Sequence, residues 1–267
     1  MKKLLLVLFV FAIASCSPEQ TKQGEQAFIC PEVFTPPNAV GTIDNPFQGD
    51  ILIDPKTKQA GVTSGSRLWK GRVIPVYFDD RFEGNSQKDS VYKAFKEFES
   101  IGFTFVEYSE LPMFNPNLSN DTDIVHIKWA GIAVSYVGRK GGEQELYLPV
   151  FWNTFYDATV HELGHLVGLW HPHNTPRQAE WLTVNRDNIQ PDKLSFFEIF
   201  DTENFEYGDE YDIYSVMNYN SYAYAIDTSI PTTTLKDGTL FESQSRLTNG
   251  DKLSIDRMYN CNESNQE

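Results

Sequence analysis

The run His161-Glu162-Leu163-Gly164-His165-Leu166-Val167-Gly168-Leu169-Trp170-His171 carries three histidines and a glutamate at spacings suited to metal-assisted hydrolysis. On a helix, residues four apart share a face, so His161 and His165 can grip one ion. Gly168 tolerates a positive φ and permits a sharp reversal that returns His171 as a third nitrogen donor. Three imidazoles with an open fourth position make a catalytic zinc site, whereas structural zinc sites are closed by four ligands. Zinc so held polarises a carbonyl and lowers the pKa of water towards about 7. Glu162 is placed to take that water's proton. Tyr219, in Ser215-Val216-Met217-Asn218-Tyr219, is a candidate donor to the oxyanion that forms. Two helical histidines alone often have surface or packing roles, but the extension through Gly168 to His171 is hard to explain by packing. The chain has five histidines, four of them between positions 161 and 173. His126, alone in a strand-like run, suits a half-buried polar role better than ligation.

These groups need elements to hold them. Thr154 to Gly168 predicts a helix ending at glycine. Strands are expected at 73–78, 103–108, 124–129 and 145–148, in one sheet. A helix is expected over 89–100, with Val91, Phe95 and Phe98 on one face. Residues 174–245 are aromatic-rich and irregular. A last helix over 248–259 has Thr248 as its cap, answered by Asp251 three residues on. Residues 17 to about 66, rich in Pro, Gly, Gln, Thr and Asp, read as an extended leader, with a composition shift near Arg67.

At 267 residues and 14% aromatic content, the chain can bury a sizeable core. Its formal net charge is −15, and no basic cluster stands out beyond the first residues. Nucleic acid is therefore excluded as an electrostatic partner, and a well-hydrated exterior accounts for the acidity. Lys2 and Lys3, the apolar run Leu4–Ile13 and the small pair Ala14-Ser15 form an export signal too short to span a membrane. Ile13-Ala14-Ser15-Cys16 resembles the bacterial lipobox, whose cysteine is acylated, so a lipid anchor to the cell envelope is expected at Cys16. Only Cys30 and Cys261 then remain as thiols in an oxidising compartment. Cys30 could bridge to Cys261, or it could serve as an inhibitory zinc thiolate.

Taken together, the zinc run and the later Ser215–Tyr219 turn resemble the metzincin peptidases, and within them the astacin family. Trp69-Lys70-Gly71-Arg72-Val73-Ile74-Pro75 is similar to the start of the astacin catalytic domain. Ser135-Tyr136-Val137-Gly138-Arg139 is similar to the edge strand that pairs with extended substrate. Leu247 to Asp251 and Met258 to Cys261 resemble the C-terminal helix. The resemblance implies Met217 beneath the metal and Tyr219 as a phenol that swings on and off it. It also implies that Asp50, in Phe47-Gln48-Gly49-Asp50-Ile51, ligates zinc in a latent precursor. Some positions depart from the family pattern. Pro172 replaces the glutamate that follows the third histidine, which removes the family's activation salt bridge. Gly102, Ala133 and Asn153 stand where three core cysteines would be.

The expected fold is α+β, a two-lobed metzincin-like domain with a twisted mixed sheet, an active-site helix and an irregular C-terminal lobe. The expected division is a signal at 1–15, a leader at 16–66, a catalytic domain at 67–261 and a tail at 262–267. The expected function is a zinc-dependent endopeptidase acting on protein or peptide substrates, as an exported envelope lipoprotein or in secreted form, and as a monomer. The alternative is a surface binding protein that keeps the fold without turnover.

Overall fold

A computed structural model describes residues 41–53, 67–108, 123–149, 154–199 and 211–263. The signal, Cys16, Cys30, Asn153, most of the leader, the tail beyond 263 and the side chain of Cys261 lie outside the described residues. So does the proposed Cys30–Cys261 bridge.

Six strands form one mixed sheet: β1 (Ile51–Leu52), β2 (Val73–Phe78), β3 (Thr104–Glu107), β4 (Ile124–Ala130), β5 (Val134–Tyr136) and β6 (Glu143–Pro149), in the order β1-β5-β6-β4-β2-β3. β3, β2, β4 and β6 run parallel, β5 is antiparallel to β6, and β1 is parallel to β5. Alternation along the strands sends Ile74, Val76, Val125, Ile127, Leu146 and Leu148 into the core.

Two helices back that core. α1 (Ser86–Glu99) buries Val91, Ala94, Phe95 and Phe98 at helical spacing. Phe95 stacks on Phe105 of β3 with ring centroids 3.9 Å apart. This helix starts three residues before the position expected from apolar periodicity. Its cap is Asn85, whose side chain accepts from the Gln87 N–H at 3.2 Å. The first turn, Ser86-Gln87-Lys88, carries no apolar residue to signal it. α2 (Phe155–Val167) is buried along most of its length, with Val160, Leu163, Leu166 and Val167 in the core and its polar residues including His161 and His165 of the zinc run.

The C-terminal lobe holds one helical turn, α3 (Gln178–Trp181), and the two-stranded ribbon β7 (Leu182–Val184) with β8 (Thr233–Leu235). α4 (Asn249–Glu263) closes the domain. Its capping box is as expected: Thr248 N–H donates to Asp251, and the Asp251 N–H donates to Thr248 Oγ1, both at 3.0 Å. Tyr259 on α4 donates to the Val167 carbonyl at 3.1 Å and accepts from the Trp69 N–H at 3.4 Å. The Trp69 indole N–H in turn donates to the Leu166 carbonyl at 2.8 Å. The last helix, the start of the domain and the end of α2 are thereby joined. Among the described residues no helix is long and apolar enough to cross a membrane.

Candidate metal centre

α2 delivers His161, Glu162 and His165, and it ends at Gly168 with φ 117° and ψ 0°. The reversal is fixed by Leu169 N–H donating to the Gly164 carbonyl and Gly168 N–H to the His165 carbonyl, at 2.9 and 2.8 Å. The φ requires glycine here, and a Cβ would also lie 2.9 Å from Met258 Sδ and oblige that side chain to shift. Two residues past the turn, His171 points back to the helix.

Each imidazole is oriented through its Nδ1. His161 Nδ1 donates to the Val216 carbonyl at 2.8 Å, and His165 Nδ1 to the Leu169 carbonyl at 2.9 Å. His171 Nδ1 faces the Gln48 side-chain oxygen at 3.4 Å. These bonds commit the protons to Nδ1 and leave three Nε2 lone pairs converging. His161 and His171 Nε2 are 3.2 Å apart. Asp50 Oδ2 lies 3.3 Å from His161 Nε2 and 3.2 Å from His171 Nε2, and Asp50 Oδ1 lies 3.6 Å from His165 Nε2. Tetrahedral donors about 2.0 Å from a common centre stand about 3.3 Å apart, so these spacings fit a metal. His165 Nε2, Asp50 Oδ1 and Glu162 Oε2 are buried without a hydrogen-bond partner among the described residues. Donors arranged in this way suit a divalent cation.

Burial pushes His165 down to about 4 and lowers His171, which favours the neutral form that ligates. For His161, burial is outweighed by the Asp50 carboxylate and the Val216 carbonyl, which raise it. Burial works against the charged form of Asp50, but the imidazoles of His171, His161 and His165 outweigh it and hold the carboxyl well below its usual range. Burial and the neighbouring Asp50 charge push Glu162 well above the usual carboxylate range.

Asp50 arrives on a tight loop. Phe47 and Ile51 exchange backbone hydrogen bonds at 2.9 Å, with Gln48 and Gly49 between them at φ 52° and 92°. Ile51 and Leu52 then pair in parallel with Ser135 and Tyr136, and Ser135 N–H donates to the Asp50 carbonyl at 3.0 Å. β5 is itself tied to α2, because Gly138 N–H donates to the His165 carbonyl at 2.8 Å. Ile51 and Leu52 therefore lie along Ser135 and Tyr136 at the edge of the sheet.

The Ser215–Tyr219 turn packs beneath the cluster. A Cβ on Gly164 would collide with Met217 Sδ, which places Met217 against α2 at Gly164. Tyr219 donates its hydroxyl proton to the Gln48 carbonyl, and its ring lies 5.0 Å from that of His171 and 4.1 Å from that of His173. Burial and the Asp50 charge push this phenol well above its ordinary value, so it stays protonated and able to donate. Pro172 opens a short turn over Pro172–Asn174, and no carboxylate stands at that position.

Residues 61–260 match the astacin family, peptidase family M12A. The chain belongs to the astacin family. A bone morphogenetic protein 1 homolog from Strongylocentrotus purpuratus is 34% identical over 205 residues, covering 73% of this chain and 31% of the relative. The zinc metalloproteinase nas-8 of Steinernema carpocapsae is 31% identical over 211 residues, covering 76% of this chain and 47% of the relative. The chain thus spans less than half the length of these relatives. High choriolytic enzyme 1, a hatching-enzyme zinc protease from Oryzias latipes, superposes with a TM-score of 0.62 at 22% identity, covering 79% of this chain and 100% of that one. Myroilysin superposes with a TM-score of 0.52 at 19% identity, covering 73% and 96%. At those identities the two structures speak to the fold. The family is one of peptidases, and here Asp50, His161, His165 and His171 form a cluster that could hold a metal ion.

Three contributors to the site escaped the sequence reading. Gln48 supplies a carbonyl to Tyr219 and a side-chain oxygen to His171. In the sequence Asp251 signals only a helix cap. Its carboxylate also accepts from Ser215 Oγ at 2.6 Å and from Val216 N–H at 3.1 Å, fixing the turn that carries Met217. The third, Tyr224, packs against Tyr219. Only the Phe47–Ile51 motif gave any signal for Gln48, and nothing in local spacing could have found Tyr224.

Proposed function

We propose that this chain is a zinc-dependent endopeptidase made as a latent precursor, with His161, His165 and His171 as zinc ligands and Asp50 as the fourth ligand in the silent form. The observation that carries this reading is the convergence of the Asp50 carboxylate on three Nε2 atoms at 3.2–3.6 Å. The family match begins at residue 61, so the role of Asp50 rests on this geometry. When bound, zinc supplies Lewis acidity that polarises a carbonyl and makes water at the site more acidic.

The chain's own residues do the rest. Glu162, buried beside the cluster with one oxygen free, takes the proton of the attacking water and passes it to the leaving amine. Tyr219 holds one donatable proton, which the Gln48 carbonyl occupies while the leader is docked. With the leader gone, that proton is available to the oxyanion. Met217 supports α2 from below. Ser135 and Tyr136 offer main-chain groups to an extended polypeptide, and the parallel pairing of β1 blocks them in the precursor. Cleavage between Lys58 and Arg67 frees Asp50. The signal and Cys16 direct export and lipid anchoring of a monomer, and Cys30 is assigned to the bridge with Cys261 because Asp50 already faces the metal. A catalytically silent binding protein is disfavoured, since base, donor and ligands are all in place.

The test is a pair of full-length variants, Asp50→Ala and Cys30→Ser, assayed on an unfolded protein before any activating cleavage. Activity in the aspartate variant alone supports the carboxylate switch. Activity in the cysteine variant alone overturns it and makes Cys30 the inhibitory ligand.

A further inference from the structure

The three imidazoles are not oriented by the same part of the chain. His161 and His165 lean on backbone carbonyls in the body of the domain, those of Val216 and Leu169. His171 leans on the leader. Its Nδ1 faces the Gln48 side-chain oxygen at 3.4 Å, the one hydrogen bond this nitrogen makes among the described residues. Gln48 is 2% exposed, so water hardly competes for that contact. Which way round the amide sits follows from ligation. With its nitrogen turned to His171, Nδ1 would have to accept, and the ring proton would sit on Nε2, where the ligating lone pair is needed. Ligation therefore requires the oxygen, and the amide nitrogen is left buried without a hydrogen-bond partner among the described residues.

The backbone at Gln48 points the same way. Its φ is 52°, in the left-handed region that favours glycine and, after it, asparagine. Backbone conformation alone would select a shorter residue there. The added length of glutamine carries its side-chain oxygen to His171, while its main-chain carbonyl takes the Tyr219 hydroxyl. Asp50, two residues on, meets the other side of the same ring, with Oδ2 3.2 Å from His171 Nε2. Gln48 and Asp50 thus bracket the His171 imidazole, one at each nitrogen.

We propose that Gln48 is a positioning residue for the metal site of the latent chain. Its side-chain oxygen fixes the ring and tautomer of His171, so the docked leader tightens zinc binding by a route separate from the Asp50 carboxylate. An imidazole whose second nitrogen donates to an oxygen is a more basic ligand, and its ring is held in the direction of the metal. The leader then does two opposite things at one site: it blocks turnover, and it secures the metal that turnover needs. This inference rests on the zinc reading of the cluster and deepens the regulation proposed for it.

The test is zinc affinity by chelator competition on full-length chains shown by mass spectrometry to be uncleaved, with activity on an unfolded protein as a second readout. Gln48→Met keeps the length and burial of the side chain but has no oxygen. It is expected to bind zinc about 10- to 100-fold more weakly, as when a partner behind a metal ligand is lost. It should also stay silent, since Asp50 and the main-chain carbonyl of position 48 are unchanged. Gln48→Glu keeps an oxygen at the same reach and should bind zinc at least as tightly as the wild type. Wild-type zinc affinity in Gln48→Met overturns the inference. Activity in that uncleaved variant also overturns it, because the leader would then have come away. So does an equal loss of affinity in Gln48→Glu, which would place the effect on packing and not on the acceptor. Asp50→Ala keeps the two readings apart: if it stays silent with wild-type zinc affinity, the aspartate switch fails, while the Gln48 comparison still decides its own question. Thermal unfolding of the metal-free chains shows whether each variant has folded. Should Gln48→Met not fold, weaker zinc binding by a folded Gln48→Glu is the result that overturns the inference.

Discussion

His161 on α2 and Asp251 on α4 are coupled through the backbone of a single residue. His161 Nδ1 donates to the Val216 carbonyl at 2.8 Å, and the Val216 N–H donates to Asp251 Oδ2 at 3.1 Å. The same carboxylate caps α4 through Thr248 and accepts from Ser215 Oγ. One buried side chain therefore sets the first turn of the last helix, the Ser215–Tyr219 turn and the orientation of an imidazole.

Asp251→Asn tests this coupling. The substitution is nearly isosteric but replaces one acceptor oxygen with an NH2 that faces a donor. A buried donor left without its partner costs about 1–3 kcal/mol, read by chemical denaturation. Zinc affinity should fall about 10- to 100-fold in a chelator competition, as is usual when a partner behind a metal ligand is lost. Lost stability with unchanged zinc affinity would show that Val216 holds His161 without help from Asp251.

The roles of Glu162 and His171 separate by metal content. Glu162→Ala should keep its zinc and lose about 10²-fold or more in turnover, the usual contribution of a general base. His171→Ala should lose the metal itself. Unchanged activity in the first variant, or near-normal zinc in the second, would remove that residue from its role.

Gly168→Ala probes the turn between His165 and His171. Alanine must adopt φ 117° and place its Cβ 2.9 Å from Met258 Sδ. The expected cost is about 1–3 kcal/mol, with weakened zinc binding because the turn carries the third imidazole. Wild-type affinity with reduced stability would mean that His171 adjusts independently of the turn.

The parts of this site visible in the sequence are those built from local spacing. His161, His165, Gly168 and His171 lie within one helix and its cap, where helical periodicity and the need for a positive φ carry the signal. The capping box of α4 was visible for the same reason. What stayed hidden depends on segments that meet only in the folded chain. A carboxylate has room for about four donors, and the capping pattern accounts for one of those on Asp251, so the bonds to Ser215 and Val216 could not be inferred. The start of α1 was missed because its first turn is polar and only Asn85 marks it. Tyr224 is one of 13 tyrosines, and its packing against Tyr219 appears only in three dimensions.

The Asp50 carboxyl is held well below its usual range, because burial, which disfavours the charge, is outweighed by His171, His161 and His165. For a depressed carboxylate, the contribution to docking is complete above its free value of about 3.9 and is lost only as pH falls through the lower, docked value. Mild acid alone should therefore not open the precursor. Full-length chain held at about pH 5, then returned to neutral pH with zinc, should remain uncleaved and silent. Asp50→Ala should be active without either step. Activity in the intact wild-type chain after the pH 5 exposure would place the latency switch on a group that titrates near there, and Asp50 would no longer account for it. Mass spectrometry of the recovered chain distinguishes opening by protonation from opening by cleavage.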